Sequence, residues 1–293
     1  MTTFAVEAAD DGKRLDAFLR AHAELSQSRA RRLCDIGAVA IDGVRAAPTA
    51  RLRDGQQVEL VAEQVERSLQ LGMPVAFGDE HVLVLQKPPG LAVHAGPLVD
   101  RSVADALREH APGAGLAQRL DRDASGLLLV GCTHDALQHL GGAMERGEIA
   151  RGYEAVALGE LADDERTIDL PLTVTDEPRG DRPKTIVDER GQRAVSHVRV
   201  LERRGGCTLV RIDLETGRTH QIRAHLAAIG HPLVGDARYG DADANERMRG
   251  THGVRRALLH GAELRFPHPA DGRDVTVTAT REPDFARLFP RRR

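Results

Sequence analysis

Residues 119–130, RLDRDASGLLLV, form a polar turn that runs directly into an apolar strand. The four apolar residues that end the stretch are typical of a strand buried in a sheet. Asp121 stands just before that strand, where a carboxylate is well placed for catalysis. The alternative is a carboxylate that only caps its turn, as Asp and Ser often do in loops. The stretch predicts a buried strand with a candidate catalytic carboxylate at its start.

The segments around this turn predict a mixed sheet domain. Apolar or alternating runs indicate further strands at His81–Gln86, Tyr153–Leu158 and Cys207–Leu214. Helical periodicity marks Asp135–Glu145 and Thr219–Ile229, and Thr219 is the expected cap of the second helix. Strands and helices do not alternate strictly, which favours an α+β domain over a doubly wound sheet.

Composition narrows the class of protein. The chain has 293 residues, with 41 Lys and Arg against 44 Asp and Glu, so its formal net charge is −3. This balance argues against a protein that coats nucleic acid through bulk positive charge, and any nucleic-acid site must be local. Aromatic residues make up 3% and Trp is absent, too few rings for a broad base-stacking platform.

Three widely spaced cysteines, Cys34, Cys132 and Cys207, indicate a reduced protein without a disulfide framework. The first residues are acidic where a secretory signal would be basic, and no stretch approaches the roughly 18 to 20 apolar residues of a membrane span. We therefore expect a cytoplasmic protein that does not interact with a membrane.

An N-terminal unit is predicted over residues 12–62. Ser28 is the expected cap of its second helix, and the Asp42-Gly43 pair suits a tight hairpin turn. Residues 13 to 60 carry nine basic and six acidic side chains, a net +3, so the rest of the chain carries −6. One helix presents a candidate phosphate-binding face formed by Arg29, Arg31 and Arg32, although a solvated charged face explains the same pattern.

A second candidate site lies in residues 215–225, ETGRTHQIRAH. Arg223 falls beside small alanines on one helix face, and a tightly packed arginine needs an anion such as Asp121. His220 and His225 are five residues apart without an intervening carboxylate, which argues against a metal site.

A third candidate, QKPPGLAVH at residues 86–94, is a strand end followed by a rigid turn. It lacks the glycine and lysine spacing of a phosphate loop, and no dinucleotide fingerprint occurs, so neither ATP nor NAD is supported. Tyr153 opens a strand, a position that more often serves packing than catalysis.

Together these three segments resemble the signatures of the RluA-type pseudouridine synthases, in the same order along the chain, over about residues 75 to 270. The N-terminal pattern RLDAFL, SRARRL, IGAVAIDG and RDGQQVEL resembles an S4 RNA-binding domain. The resemblance implies a mainly antiparallel catalytic domain at 76–293 and a small S4 (α-L) domain at 12–62. Residues 63–75 lack a clear period and include Gly72 and Pro74, which predicts a linker.

The resemblance also implies roles for individual residues. Asp121 becomes the catalytic aspartate, acting on the base or on the sugar, and Arg119 enters the space left by an extruded uridine. Tyr153 contacts the flipped base, and Arg223 pairs with Asp121. The paired basic helix with Arg29, Arg31 and Arg32 would face structured RNA.

Two positions depart from the family pattern. Gln118 stands where His is usual and Ala124 where Thr is usual, and both flank Asp121 without replacing it. We still expect an active enzyme, because Asp121, Arg119, Ser125 and Gly126 are all present.

The activity implied is the isomerisation of uridine to pseudouridine in structured RNA, without a cofactor or a metal ion. The spelling of the motifs is most similar to the branch that acts on 23S ribosomal RNA, and a monomer is expected. Two alternatives remain, an enzyme acting on transfer RNA and a catalytically impaired factor in RNA binding or ribosome assembly. A glycoside hydrolase would need a second catalytic carboxylate and has no motif support.

Overall fold

A computed structural model gives the fold and describes residues 2–60, 65–96, 99–175 and 184–290. The chain forms two compact units, the first of residues 1–149 and 264–283 and the second of residues 150–263 and 284–293. Within the described ranges no helix is long and apolar enough to cross a membrane. The domain bounds expected from the resemblance, 12–62, 63–75 and 76–293, stay predictions.

Helices and strands are interspersed along the chain. The helices are α1 (Leu15–His22), α2 (Gln27–Asp35), α3 (Val65–Leu71), α4 (Val103–His110), α5 (His134–Glu145), α6 (Gln221–Ala228), α7 (Ala242–His252) and α8 (Pro283–Leu288). The strands are β1 (Thr2–Ala5), β2 (Val39–Ile41), β3 (Val44–Arg45), β4 (Gln57–Leu60), β5 (Val75–Gly78), β6 (Val82–Lys87), β7 (Gly115–Leu116), β8 (Ser125–Gly131), β9 (Ala150–Leu158), β10 (Glu165–Asp169), β11 (Leu172–Thr175), β12 (Lys184–Val187), β13 (Val195–Arg204), β14 (Cys207–Leu214), β15 (Leu259–Pro267) and β16 (Asp274–Thr278).

The first unit begins with a small sheet in the order β1-β4-β2-β3. We call this sheet, together with α1 and α2, the N-terminal module. Its apolar core is made by side chains of both helices and of the sheet, among them Leu15, Phe18, Leu33 and Val58. Asp42 and Gly43 both have positive φ, at 51° and 73°, which is the backbone of a tight two-residue hairpin between β2 and β3. The predicted turn is therefore confirmed.

The same unit contains the strand that follows Asp121. β8 is buried along its whole length and pairs antiparallel with β6, which pairs antiparallel with β5. Helix α5 packs on this sheet through Leu140 and Ala143, and Phe266 and Val275 complete the same core from a later part of the chain. The buried strand predicted from residues 127–130 is confirmed.

The second unit is built on the antiparallel strand order β10-β13-β14-β9. Its core joins Val156 and Leu209 from two of these strands to Phe285 and Phe289 near the C-terminus. β11 and β12 pair as a separate two-stranded sheet, while residues 176–183 between them lie outside the described residues. Both units mix helices with antiparallel strands, so the predicted α+β class, mainly antiparallel, is confirmed.

The segment 63–75, predicted to be a linker, contains α3, although residues 63 and 64 lie outside the described part. Two local expectations, both about helix caps, are corrected. Helix α2 is capped by Ser26, whose side chain accepts from the Arg29 amide at 3.3 Å, and not by Ser28. Helix α6 starts after His220, which has a left-handed φ of 53°, so Thr219 is not its N-cap.

A buried ion pair joins the N-terminal module to the segment just before α8. Arg45 lies 2.7 Å from Glu282, and both side chains are almost completely buried. The Arg45 amide also donates to the carbonyl oxygen of Arg281 at 3.2 Å, next to a parallel bridge between Val44 and Arg281. The module is therefore held to residues 281–282 by side-chain and main-chain contacts.

Candidate active site

Buried and accessible side chains alternate along the loop before β8. Gln118 and Leu120 are buried, Arg119 is exposed, and Asp121 is half-buried. The amide of Ala124 donates to the carbonyl oxygen of Asp121 at 3.2 Å and closes a turn. Buried neighbours therefore anchor the loop while Arg119 and Asp121 stay accessible.

Lys87 connects this loop to the turn after β6. Its side chain is 0% exposed, and its ammonium donates to the carbonyl oxygens of Pro88, Leu91 and Arg122 at 2.9, 2.9 and 3.0 Å. The amide of Gly90, where φ is 84°, also donates to the Arg122 carbonyl at 2.9 Å. A cation that holds three carbonyl oxygens in the interior acts as a structural clamp between the two segments.

The two positions that depart from the family pattern are structural in this chain. The Gln118 amide donates across the turn to the carbonyl oxygen of Leu127 at 3.2 Å. Ala124 is also buried, with 2% exposure. Gln118 therefore ties the loop to β8, and Ala124 lies in the buried part of the loop.

Tyr153 and Arg223 belong to the second unit, whereas Arg119 and Asp121 belong to the first. Tyr153 is a buried residue of β9, paired in register with Ile212 of β14. The pairing of Arg223 with Asp121 therefore stays a prediction, as do the roles of Arg119 and Tyr153.

Arg223 has an anion within its own unit, as a tightly packed arginine requires. Its Nε donates to Oδ2 of Asp236 at 2.7 Å and its Nη2 to Oδ1 at 2.9 Å. The Asp236 side chain is 0% exposed and that of Arg223 is 12% exposed. Burial by itself would raise the pKa of Asp236, but the hydrogen bonds and charge of Arg223 outweigh it and lower that pKa below 3.8.

Tyr239 covers the other side of this pair. Its ring centroid lies 4.9 Å from Cζ of Arg223, a cation-π distance, and its own amide donates to Asp236 at 3.1 Å. Its hydroxyl accepts from the Thr185 amide at 2.9 Å and lies 3.0 Å from Nδ1 of His220. Arg223 is consequently held at its edge by a carboxylate and at its face by a ring.

Sequence reasoning missed Asp236. It lies thirteen positions after Arg223, within the stretch GDARYG at residues 235–240. The available signal was the need of Arg223 for an anion, which pointed only to Asp121. A second signal is the turn itself, in which the side chain of Asp236 can accept hydrogen bonds from the amides of Arg238 and Tyr239.

The predicted basic face of the N-terminal module is divided in the structure. Arg29 forms an ion pair with Glu66 and Arg32 donates to the carbonyl oxygen of Leu69 at 2.8 Å, so both contact α3. Arg31 donates to Asp16 at 3.0 Å and keeps 54% of its side chain exposed. Of the three, Arg31 is the one that stays out of the contact with α3.

Asp16 organises the arginines around it. Its side chain is 1% exposed and accepts from Arg14 at 3.0 and 2.8 Å, from Gln27 at 2.9 Å and from Arg31. The hydrogen bond from Arg14, followed by that from Arg31, lowers the pKa of Asp16 from 3.8 to about 2 against the opposing effect of burial. The carboxylate therefore orients Arg14 and Arg31 at the surface of the module.

Comparison with known proteins places this geometry in a family. The family of RNA pseudouridylate synthases matches residues 81–228. The ribosomal large subunit pseudouridine synthase C of Salmonella typhi is 34% identical over 303 residues, covering 97% of this chain and 94% of that protein. The ribosomal large subunit pseudouridine synthase D of Pseudomonas aeruginosa is 36% identical over 279 residues, covering 89% and 86%.

Solved structures give the same fold. Human RNA pseudouridylate synthase domain containing 4 aligns with a TM-score of 0.61 at 21% identity, covering 76% of this chain and 95% of that chain. Human RNA pseudouridylate synthase domain containing 1 aligns with a TM-score of 0.59 at 24% identity, covering 69% and 82%. Since half of the chain matches the family and relatives above 30% identity extend over nearly its whole length, the chain belongs to the RNA pseudouridylate synthases, as an RluA-type enzyme, and is an RNA pseudouridine synthase, an isomerase.

Proposed function

We propose that this synthase converts specific uridines of large-subunit ribosomal RNA, 23S RNA in bacteria, to pseudouridine. The observation that carries the proposal is Asp121, held half-exposed in a loop that Lys87 and Gln118 anchor from inside. The names of the relatives, which specify the ribosomal large subunit, support this substrate over transfer RNA.

The reaction is an internal rearrangement. The bond between N1 of uracil and C1′ of ribose breaks, the base turns within the site, and a bond between C5 and C1′ forms. C5 loses its proton and N1 gains one, so the atoms balance without a redox partner. Such a reaction needs a carboxylate to attack or to stabilise charge, and a site that holds the detached base in place.

Asp121 is the proposed catalytic aspartate, acting on the base or on the sugar. Since the target uridine is stacked in folded RNA, it must be flipped out, which costs a few kcal/mol. The exposed side chain of Arg119 is suited to fill the gap, and Tyr153 is the proposed contact of the flipped base. Arg223 is the proposed partner of the Asp121 carboxylate.

The N-terminal module is the proposed S4-like RNA-binding domain, delivering RNA to the catalytic domain of a monomeric cytoplasmic enzyme. Residues 13–60 of this module carry a net charge of +3 within a chain of −3, which favours attraction for phosphates there. Arg31 and Arg14, oriented by Asp16, have accessible guanidinium groups for this contact. Arg29 and Arg32 contribute through the same helix while also contacting α3.

The test is incubation of the purified protein with ribosomal and transfer RNA from a strain that lacks the gene, followed by mapping of pseudouridine. We expect new pseudouridines in large-subunit RNA. An Asp121→Asn variant should bind the RNA and leave it unmodified, because an amide has the same shape but cannot act as the nucleophile. Asp123→Asn, two residues along the same loop, is the matched control and should retain activity.

Each outcome separates the alternatives. Modification of transfer RNA alone defeats the ribosomal assignment. Tight binding to ribosomal RNA without any modification identifies a factor in RNA binding or ribosome assembly. Appreciable turnover by Asp121→Asn removes Asp121 from the mechanism.

A further inference from the structure

The ion pair between Arg223 and Asp236 has a geometry that fixes orientation as well as charge. Two parallel hydrogen bonds of 2.7 and 2.9 Å join one edge of the guanidinium to both carboxylate oxygens. Such a two-pronged contact defines the plane of the guanidinium, whereas a single contact leaves it able to rotate. Because Asp236 is completely buried, its position does not depend on solvent.

The carboxylate is itself held by its own turn. Oδ1 of Asp236 accepts from the amides of Arg238 and Tyr239 at 2.9 and 3.1 Å, in addition to Nη2 of Arg223. The same turn puts the Tyr239 ring over the guanidinium face. Asn245 donates from its side chain to the carbonyl oxygen of Asp236 at 2.9 Å and its own Oδ1 accepts from Gly235 at 2.7 Å. A preorganised turn therefore presents Asp236 to Arg223.

We propose that Asp236 is a positioning residue of the isomerisation, which acts by orienting the guanidinium of Arg223 toward the reacting carboxylate. The inference rests on the proposed function, in which Arg223 pairs with Asp121. Asp236 uses the Nε and Nη2 edge of the guanidinium, so the donors of the other edge are directed away from Asp236. Asp236 also balances the charge of Arg223, which makes Arg223 an oriented donor more than an uncompensated cation.

A purely structural role would be different. In that case Asp236 would only attach the turn of residues 235–240 to α6, and its loss would lower stability without selectively lowering turnover. A positioning role acts through Arg223 alone. The loss of turnover in the double variant must therefore be smaller than the sum of the losses in the two single variants, expressed as free energies.

The experiment compares kcat and KM of the full chain on ribosomal RNA for Asp236→Asn, Arg223→Lys and the double variant. Asparagine keeps the shape and one acceptor for the turn, but it places an amide donor against the donors of Arg223. We expect kcat to fall by about 10- to 100-fold with KM changed less than about threefold, since small displacements of a catalytic group cost rates of this order. In the Arg223→Lys background the added Asp236→Asn change should lower kcat by less than about twofold.

A matched control is Asp284→Asn. Asp284 forms a two-pronged pair with Arg256 at 2.7 and 3.0 Å in the same unit, with side chains that are also mostly buried. This variant should lose stability without a comparable loss of kcat. Asp236→Glu keeps the charge and displaces the carboxylate by one methylene, and it should recover part of the activity that Asp236→Asn loses.

The outcomes are decisive. An unchanged kcat in Asp236→Asn overturns the positioning role. So does a fall in kcat on adding Asp236→Asn that is equally large in the unaltered protein and in Arg223→Lys. If Asp236→Asn does not fold, Asp236→Glu carries the test, and full activity of that variant contradicts the proposal. Absence of modification by the unaltered protein is a failure of the proposed function and is distinguishable, because it is seen before any variant is compared.

Discussion

The ammonium of Lys87 donates to the main-chain carbonyl of Arg122 at 3.0 Å, one residue after Asp121. A buried cation from the end of one strand thereby sets the backbone next to the carboxylate at the start of another. This contact makes the backbone position next to Asp121 depend on Lys87.

Lys87→Met should therefore lower both stability and turnover. Methionine has a similar length but cannot donate to the three carbonyl oxygens, and the loss should cost about 2 to 3 kcal/mol in the free energy of unfolding. Urea unfolding and kcat on ribosomal RNA measure the two effects. Arg265→Met, at an exposed arginine paired with the exposed Asp274, is the control and should change neither appreciably. A Lys87→Met protein with full stability would falsify the clamp.

Arg223→Ala should destabilise the fold strongly, since it leaves the Asp236 carboxylate buried without its cation. We expect a loss of about 3 to 5 kcal/mol in the free energy of unfolding, measured by chemical denaturation. The double variant Arg223→Ala/Asp236→Ala should be more stable than Arg223→Ala alone, because no uncompensated charge remains. Arg249→Ala, at an exposed pair with Glu246, should have little effect. Equal stability of Arg223→Ala and the unaltered protein contradicts this assignment.

The stability of the N-terminal module should depend on acid through Asp16. Its folded-state pKa of about 2 lies below the ordinary value of 3.8, so the folded state binds its proton less readily than the unfolded chain. The stabilisation is complete above about pH 4 and is lost as the pH falls through about 2. We expect this contribution to be of the order of 1 kcal/mol, because water around Arg14 and Arg31 screens the pairs.

Urea unfolding between pH 5 and pH 2 measures this contribution. An Asp16→Asn variant should be less stable at pH 5 and should lose less of its stability on acidification. Identical pH dependence in the two proteins would remove Asp16 from the acid response.

Arg31→Ala should weaken binding of long ribosomal RNA in a salt-dependent way. If the side chain neutralises one phosphate, the slope of log affinity against log salt should become shallower by about 0.7 to 0.9, while turnover at saturating RNA persists. Arg29→Ala and Arg32→Ala should also lower stability, because each removes a contact with α3. Arg101→Ala, at an exposed pair with Glu109 outside the N-terminal module, is the control. An unchanged slope for Arg31→Ala indicates a solvated helix face.

Elements carried by apolar periodicity could be predicted from sequence. β14 has the bounds expected for it, and α5 begins one residue before the expected start. Helix caps could not be predicted as well, because several polar side chains compete for the same amides. Ser26 and Ser28 lie within hydrogen-bonding distance of each other at 3.2 Å, and the sequence pattern does not rank them.

Site residues that belong to a sequence motif can be predicted from the sequence. Residues that join the site through tertiary contacts are harder to predict. Asp121 follows from the polar turn before an apolar strand together with the resemblance. Asp236 reaches Arg223 only when the turn of residues 235–240 packs on α6, a contact without a spacing rule. The roles of Arg29 and Arg32 were likewise incomplete, since α3 was not expected in the segment that they contact.

The first unit is assembled from two distant parts of the chain, residues 1–149 and 264–283. During synthesis, Phe266 and Val275 of its core and the Glu282 partner of Arg45 leave the ribosome after residues 150–263 of the second unit have been made. At ordinary translation rates this delay is on the order of ten seconds. During that time the apolar side chains of β6 and β8 are not yet covered by Phe266 and Val275. Both units need residues from the range 264–293, so we expect the nascent chain to leave this apolar surface uncovered until those residues emerge.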